Sequence, residues 1–281
     1  MPELPEVETV RRGLAALTSA QPLQGGEVLL DRTLAHPVSA AAFLAGLTGC
    51  QITTWQRRGK YLLAPLNRQG AAAGWLAVHL RMTGQLLWLE QAAPLGRHTR
   101  VRLFFPQGRE LRFIDPRTFG RVWWVPPGQA LAEVVTGLQT LGPEPLSPEF
   151  SLAYLGDRLR HSRRPLKTAL LDQSLVAGLG NIYADEVLFT SGLRPTCPAN
   201  RLSSDQIASL HAAIGEVLQT AIAKGGTTFS DFLNLLGVSG NYGPGAWVYG
   251  RTGQPCRVCG TPIERLRLAG RSSHFCPRCQ G

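Results

Sequence analysis

Pro2 and Glu3, in the opening Met1-Pro2-Glu3-Leu4-Pro5-Glu6-Val7, have the most distinctive chemical potential in this chain. An initiator methionine followed by a small residue is normally trimmed, which leaves Pro2 with a secondary amine outside any peptide bond. A chain-terminal amine titrates near pH ~8, so a useful fraction is neutral and nucleophilic at physiological pH. Amines of this kind attack carbonyl-like carbons and form Schiff bases, which divides one difficult step into two easier ones. From proline the product is an iminium with a fixed positive charge. Glu3 is the nearest group able to move protons. The same stretch also suits an ordinary helix start, because Pro fits the first turn and Glu6 and Glu8 favour the positive end of the dipole.

A second set is metal-binding. Cys256-x-x-Cys259 and Cys276-x-x-Cys279 have sixteen residues between them. Two such turns place four thiolates tetrahedrally about one Zn²⁺, and a shell filled by sulfur leaves no open position, so the zinc is structural. Arg257, Arg265, Arg267, Arg271 and Arg278 stud the same segment, which suits phosphate contact. Cys50 and Cys197 stand alone and read as apolar fillers. A third set reads as a nucleic-acid surface. Gly178-Leu179-Gly180 runs into a helix with Asn181 as its expected N-cap, and amides there can take a phosphate. Arg163, Arg164 and Lys167 add positive charge just upstream. Arg117 and Phe119 share the turn Asp115-Pro116-Arg117-Thr118-Phe119-Gly120, and Met82 sits at a strand end. An enzyme that extrudes a base must fill the vacated space, and an apolar wedge, an aromatic ring and an arginine are suited to this.

The elements that must position these residues follow from periodicity. Val7, Val10, Leu14 and Leu17 predict an N-terminal helix of about four turns. Strands then dominate to about residue 125: Val101, Leu103 and Phe105 alternate with Arg100 and Arg102, and Leu111 and Phe113 with Glu110 and Arg112. The first domain reads as a β-sandwich or flattened barrel. Pro126-Pro127-Gly128 and the proline-rich stretch 142–148 mark a boundary, after which the chain turns helical. The clearest helix starts at Ser203 with Gln206 as capping-box partner, and Ile207, Leu210, Ile214, Val217, Leu218 and Ile222 form its expected buried stripe. His211 borders that stripe as a packing residue. The glycine-rich stretch 225–245 reads as either a disordered loop or a functional lid.

Composition narrows the class. The 281 residues, 44% hydrophobic, allow about two domains. No apolar run approaches the ~20 residues of a membrane span, and the start lacks a secretory layout. The expectation is a cytoplasmic protein without membrane partners. Twenty-nine Lys and Arg against nineteen Asp and Glu, a formal +10, point to an anionic partner, nucleic acid first.

Taken together the pieces closely resemble the formamidopyrimidine-DNA glycosylase family, bacterial enzymes that remove oxidised purines. The resemblance rests on Pro2-Glu3-Leu4-Pro5-Glu6-Val7-Glu8-Thr9-Val10-Arg11-Arg12-Gly13, Lys60 within Arg57-Arg58-Gly59-Lys60-Tyr61-Leu62, the 115–120 turn, residues 178–186, and Tyr249-Gly250-Arg251 before the cysteines. These occur in family order and cover essentially the whole chain. The resemblance implies an α+β fold of two domains: an N-terminal catalytic β-sandwich (1–128), a linker (129–149), a helix-two-turn-helix DNA-binding domain with a base-capping loop (150–245) and a zinc finger (246–281). Damaged duplex DNA, carrying oxidised purines or abasic sites, would bind a monomer between the domains. It further implies Pro2 as nucleophile at the sugar C1′, Glu3 and Lys60 for proton transfer, and Arg271 for phosphate binding during δ-elimination. His98, Arg117, Arg163, Lys167 and Asn181 would hold the backbone. Met82, Arg117 and Phe119 would fill the gap, and the loop carrying Thr227, Thr228 and Tyr242 would cover the extruded base. Thr118 departs from the arginine common at its position, and Ser162 and Arg163 replace part of a lysine cluster, which leaves the contacting residue there open by one position. Two other readings are an endonuclease VIII-like enzyme for oxidised pyrimidines, against which the Leu4 and 7–9 spelling argues, and a non-catalytic zinc-ribbon binder of damaged DNA. Intact Pro2, Glu3 and Lys60 argue against the latter.

Overall fold

The computed structural model describes residues 1–228 and 232–281, which form two compact units: residues 1–139 with 225–241, and 140–224 with 242–281. In the first unit, α1 (Leu4–Thr18) buries Val7, Val10 and Leu14 of the predicted stripe, with Leu4 added at its start, while Leu17 is half-buried. There follow β1 (Gly25–Val28), β2 (Leu34–His36), α2 (Ala40–Leu47), β3 (Gln51–Ile52), β4 (Gln56–Arg58), β5 (Tyr61–Arg68), β6 (Ala71–His79), β7 (Gln85–Glu90), β8 (Thr99–Phe105), β9 (Arg109–Ile114), β10 (Arg121–Val125) and the short α3 (Leu131–Val134).

These strands make two sheets, one ordered β1-β8-β9-β7 and one ordered β2-β10-β6-β5-β3 with β4 also on β5. All pairs are antiparallel except β2 with β10. Leu76, Val78 and Val122 of one sheet and Leu86, Val101, Leu103, Leu111 and Phe113 of the other line one narrow apolar space, so the sheets face each other as a sandwich. Alternation along β8 buries one face and leaves the other to Arg100, Arg102 and Phe104, whereas β9 is buried on both faces, with Glu110 and Arg112 paired inside.

The 225–241 segment groups with this unit, whereas the sequence-based division places it in the helical domain. The reason is apolar: Phe232 and Leu235 enter the sandwich core, and the Leu235 carbonyl accepts from Trp88 N at 2.8 Å. Residues 229–231, inside the expected covering loop, lie outside the described residues.

The second unit holds α4 (Leu152–Arg160), α5 (Leu166–Leu170), α6 (Asn181–Thr190), α7 (Ser204–Ala223) and a hairpin of β11 (Glu264–Leu268) and β12 (Arg271–Phe275). The Ser203–Gln206 capping box starts α7. Its buried face is Leu210, Ala213, Ile214, Val217, Leu218 and Ala221; Ile207 and Ile222, expected in that stripe, lie towards its two ends and are half-buried. His211 packs as expected, stacked on Phe150 with ring centroids 5.4 Å apart. Among the described residues no helix is long and apolar enough to cross a membrane.

Candidate active site

Helix α1 begins at the residues with nucleophile chemistry. Glu3 is its N-cap, and both Pro2 and Glu3 are buried. Glu6, 1% exposed, turns back on this start: its Oε2 accepts from Glu3 N at 2.8 Å. Its Oε1 accepts from Thr227 N at 2.7 Å. One buried carboxylate therefore ties the chain start to the 225–241 segment. Gly226 makes that approach possible, since a Cβ there would lie 2.8 Å from Glu6 Oε1 and its φ of +78° favours glycine. A second carboxylate on α1 ties in the lysine turn. Glu8 pairs with Arg11, Arg12 and Arg57, the last at 3.3 Å, and Arg57 also donates to Gly59 O at 3.1 Å. Burial pushes the Glu8 carboxyl up, but the arginines outweigh that and hold it below its ordinary value. Lys60, 8% exposed, sits in the turn that Arg57 and Gly59 shape.

Beside it lies His79, the register partner of Tyr61 and packed edge-on against its ring at 4.5 Å. Burial first, then the positive charges of Arg81 and Lys60, lower the imidazole to about 3, so it is neutral at physiological pH. Its Nδ1 accepts from Arg81 N at 3.0 Å. Sequence reading missed both Glu6 and His79 as site residues. Glu6 was legible only as a helix-start acid, and His79 was not singled out.

The Met82 turn, between β6 and β7, and the 115–120 turn, between β9 and β10, come together. The Arg117 guanidinium lies 4.9 Å from the centre of the Phe119 ring, and Phe119 is 48% exposed, an aromatic deliberately left in water. Met82 is half-buried. His98 joins the same cluster, as Asp115 N donates to its carbonyl at 3.0 Å and Arg97 Nε approaches its Nε2 at 2.9 Å. Arg100, not singled out from the sequence, donates to Asp115 O at 2.9 Å and adds another cation.

In the second unit several expected DNA contacts are turned inward. Lys167 is fully buried, and its Nζ donates to Asp185 Oδ1 at 2.5 Å, Ser272 O at 2.9 Å and Asn181 O at 3.2 Å. Its ammonium is committed to a buried ion pair, whereas the resemblance implies that it holds the DNA backbone. The other side of Asp185 accepts from His274 N and meets His274 Nδ1 at 2.9 and 3.0 Å. Helices α5 and α6 are thus pinned to β12. Arg271, the first residue of β12, is exposed.

Gly180, not Asn181, is the N-cap of α6. Gly180 is extended there, and Asn181 opens the helix. The Asn181 Nδ2 reaches Ser272 Oγ at 3.5 Å, and its buried Oδ1 has no partner among the described residues. Arg163 is exposed beside Arg164, which is drawn to Asp172 at 2.9 Å.

Tyr242 is 4% exposed, and its hydroxyl donates to Glu186 Oε2 at 3.3 Å. Burial and then the Glu186 charge raise its phenol well above the ordinary range. Tyr242 is thus packed inward within the loop that the resemblance expects to cover the extruded base. Glu186 itself accepts from the backbone N–H of Trp247, Val248 and Tyr249 at 2.7 to 3.0 Å. Thr227, 3% exposed, is likewise buried, and its N–H goes to Glu6. Thr228 Oγ1 closes its own segment, donating to Phe232 O at 2.7 Å and accepting from Gly240 N at 2.9 Å.

The four cysteines meet as expected. All their sulfurs lie within 4.8 Å of one another, with Cys256–Cys279 at 3.9 Å and Cys259–Cys276 at 3.5 Å. Sulfurs held ~2.3 Å from a tetrahedral Zn²⁺ would be about 3.8 Å apart, so the cage fits that ion. Burial first and neighbouring thiols second push Cys279 up to about 12, whereas hydrogen bonds from Thr261 bring Cys259 down to about 6. A divalent cation is what allows all four to be thiolates together. One structural zinc therefore belongs to the fold.

Comparison with known proteins agrees with this geometry. The formamidopyrimidine-DNA glycosylase N-terminal domain matches residues 1–122, its H2TH domain residues 141–232, and the zinc finger found in FPG and IleRS residues 253–281. The chain belongs to the formamidopyrimidine-DNA glycosylase family. The relative of that name from Synechococcus sp. is 64% identical over 100% of this chain and 99% of its own, and the one from Nostoc sp. is 61% identical over 100% of both. Among solved structures, the Lactococcus lactis Fpg in complex with abasic-site DNA superposes with a TM-score of 0.90 at 36% identity, covering 99% of each chain. The MutM (Fpg) protein of Thermus thermophilus gives 0.86 at 42%, covering 100% of this chain and 99% of that one. Within this glycosylase family frame, the helical domain is a helix-two-turn-helix, as the resemblance implies.

Proposed function

We propose that Pro2, freed by loss of Met1, is the nucleophile of a DNA glycosylase that excises oxidised purines, 8-oxoguanine and formamidopyrimidines, from duplex DNA in the bacterial cytoplasm and then cleaves the strand. The observation that carries the reading is the carboxylate bridge from Glu6 to both Glu3 and Thr227. It fixes the chain start against the segment assigned to the flipped base, which is the positioning an attacking amine needs.

The Pro2 nitrogen attacks C1′ as the glycosidic bond breaks, and the base departs with the bonding pair and a proton. Opening of the sugar ring gives a charged iminium, with Glu3 exchanging the proton at the ring oxygen. The iminium acidifies the C2′ hydrogens, so loss of one expels the 3′ phosphate by β-elimination, with Lys60 in the buried turn as proton carrier. Neutral His79 beside it fits a site that must not overload with positive charge before DNA arrives. A second elimination expels the 5′ phosphate, assisted by exposed Arg271. No step draws on the zinc, which shapes the ribbon. His98, Arg117, Arg163 and Asn181 hold the backbone, and Met82, Arg117 and Phe119 fill the space of the extruded base. Lys167 supports Asn181 from inside, Thr227 is tied to Glu6 and Tyr242 to Glu186, while Thr228 orders the 225–241 segment.

The test is a chain whose Pro2 is blocked by an N-terminal extension. Base release and strand cleavage on an 8-oxoguanine duplex should both vanish while DNA binding persists. Turnover by the blocked chain would refute the assignment.

A further inference from the structure

Two turns present the wedge residues, and nothing in the established reading requires them to move together. The structure joins them at two levels. Asp115 is fully buried, and its Oδ1 accepts from the Thr83 hydroxyl at 2.5 Å, across from the Met82 turn. Thr83 Oγ1 in turn accepts from Arg117 N at 3.3 Å, and Asp115 Oδ2 accepts from Gly120 N at 2.7 Å. Beneath them the Phe113 ring fills the space between the turns. A Cβ on Gly120 would fall 2.5 Å from that ring, and one on Gly84 would fall 3.0 Å from it. Both turns also carry a non-glycine residue in left-handed backbone, Arg81 at φ 54° and Thr118 at φ 59°. Such conformations persist only where the surroundings over-determine them.

We propose that Thr83 and Asp115 are positioning residues that lock the two turns into a single wedge, so that Met82, Arg117 and Phe119 enter a damaged base pair as one preorganised body. The proposal rests on the reading of those three side chains as gap fillers. Pushing into a stacked duplex is opposed by the stacking of each step. Turns ordered in advance lose no freedom at insertion, whereas separately flexible turns would lose it against that opposition. The benefit falls on substrates whose base is still paired. It is small on an abasic site, where no base remains to be extruded.

The experiment uses Thr83→Val, which removes the hydroxyl and keeps the shape. Single-turnover excision of 8-oxoguanine opposite cytosine is compared with strand cleavage at a preformed abasic site. Excision should slow about tenfold, abasic cleavage should change less than about twofold, and Thr83→Ser should restore excision, as loss of one hydrogen bond to a charged group implies. Met82→Ala should cost less in the Thr83→Val background than alone, because coupled sites are non-additive. Unchanged excision, or equal slowing on both substrates, overturns the proposal. Met82→Ala and Phe119→Ala then separate the two levels. If they slow excision while Thr83→Val does not, the coupling fails and the wedge stands. If they leave excision unchanged, the wedge reading itself fails. Should Thr83→Val not fold, Asp115→Asn carries the same comparison, with the same outcomes.

Discussion

Lys167→Met distinguishes an internal tie from a phosphate contact. In the structure the Lys167 side chain is 1% exposed and donates to Asp185, Ser272 and Asn181. Methionine fills much of the same volume but leaves the Asp185 carboxylate buried opposite an apolar group, with Ser273 and His274 still against it. Breaking a buried pair by removing one partner costs about 3–5 kcal/mol. With a urea slope of about 2 kcal/mol/M, the second unit should lose roughly 2 M in its midpoint. Because two units need not unfold in one step, hydrogen exchange at α6 and β12 amides is the appropriate readout. Removing both charges with Lys167→Met and Asp185→Leu should recover most of the loss. DNA affinity is measured against salt in parallel. A lost phosphate contact would make the log–log salt slope shallower by about 0.9, and an internal tie leaves it unchanged. A shallower slope with unaltered amide protection would refute the inward reading of Lys167.

Other expectations follow from the same geometry. Cys276→Ser should lose zinc, measured by metal analysis, and weaken DNA binding, while exchange protection in the sandwich is retained. Full affinity in the zinc-free protein would contradict the role of the ribbon. His79 provides a pH test. Its folded value of about 3 lies below its ordinary 6.5, so below pH 6.5 the unfolded chain takes a proton that the folded imidazole refuses. Its contribution is complete above pH 6.5 and is lost as pH falls towards 3, by up to a few kcal/mol at about 1.4 kcal/mol per pH unit. Denaturant titrations of His79→Phe should show a flatter acid limb than the parent protein; identical limbs would contradict the buried neutral state.

The fold was legible where local pattern and packing agree. The spacing of Val7, Val10 and Leu14 predicts α1, and the alternation of Val101, Leu103 and Phe105 predicts a strand with one buried face. The four cysteines announce their cage because ligand spacing is itself local. What the sequence hid depends on long-range partners. Lys167 reads as one more cation in a basic run, and only Asp185, eighteen residues on, and Ser272 turn it inward. Glu6 meets Thr227 across 221 residues, which no periodicity can anticipate. Phe232 and Leu235 looked like apolar residues in a glycine-rich lid, and the sandwich core claimed them. The cap of α6 falls on Gly180, one residue before the expected Asn181.

The most direct measurement is chemical capture at the chain start. An oligonucleotide duplex bearing 8-oxoguanine is incubated with the processed protein, reduced with borohydride, digested and mapped by mass spectrometry. The expected product is a deoxyribose remnant joined to the peptide that begins at Pro2. A remnant joined to Lys60, or efficient base release with no joined product at all, would contradict the chemistry assigned to this site.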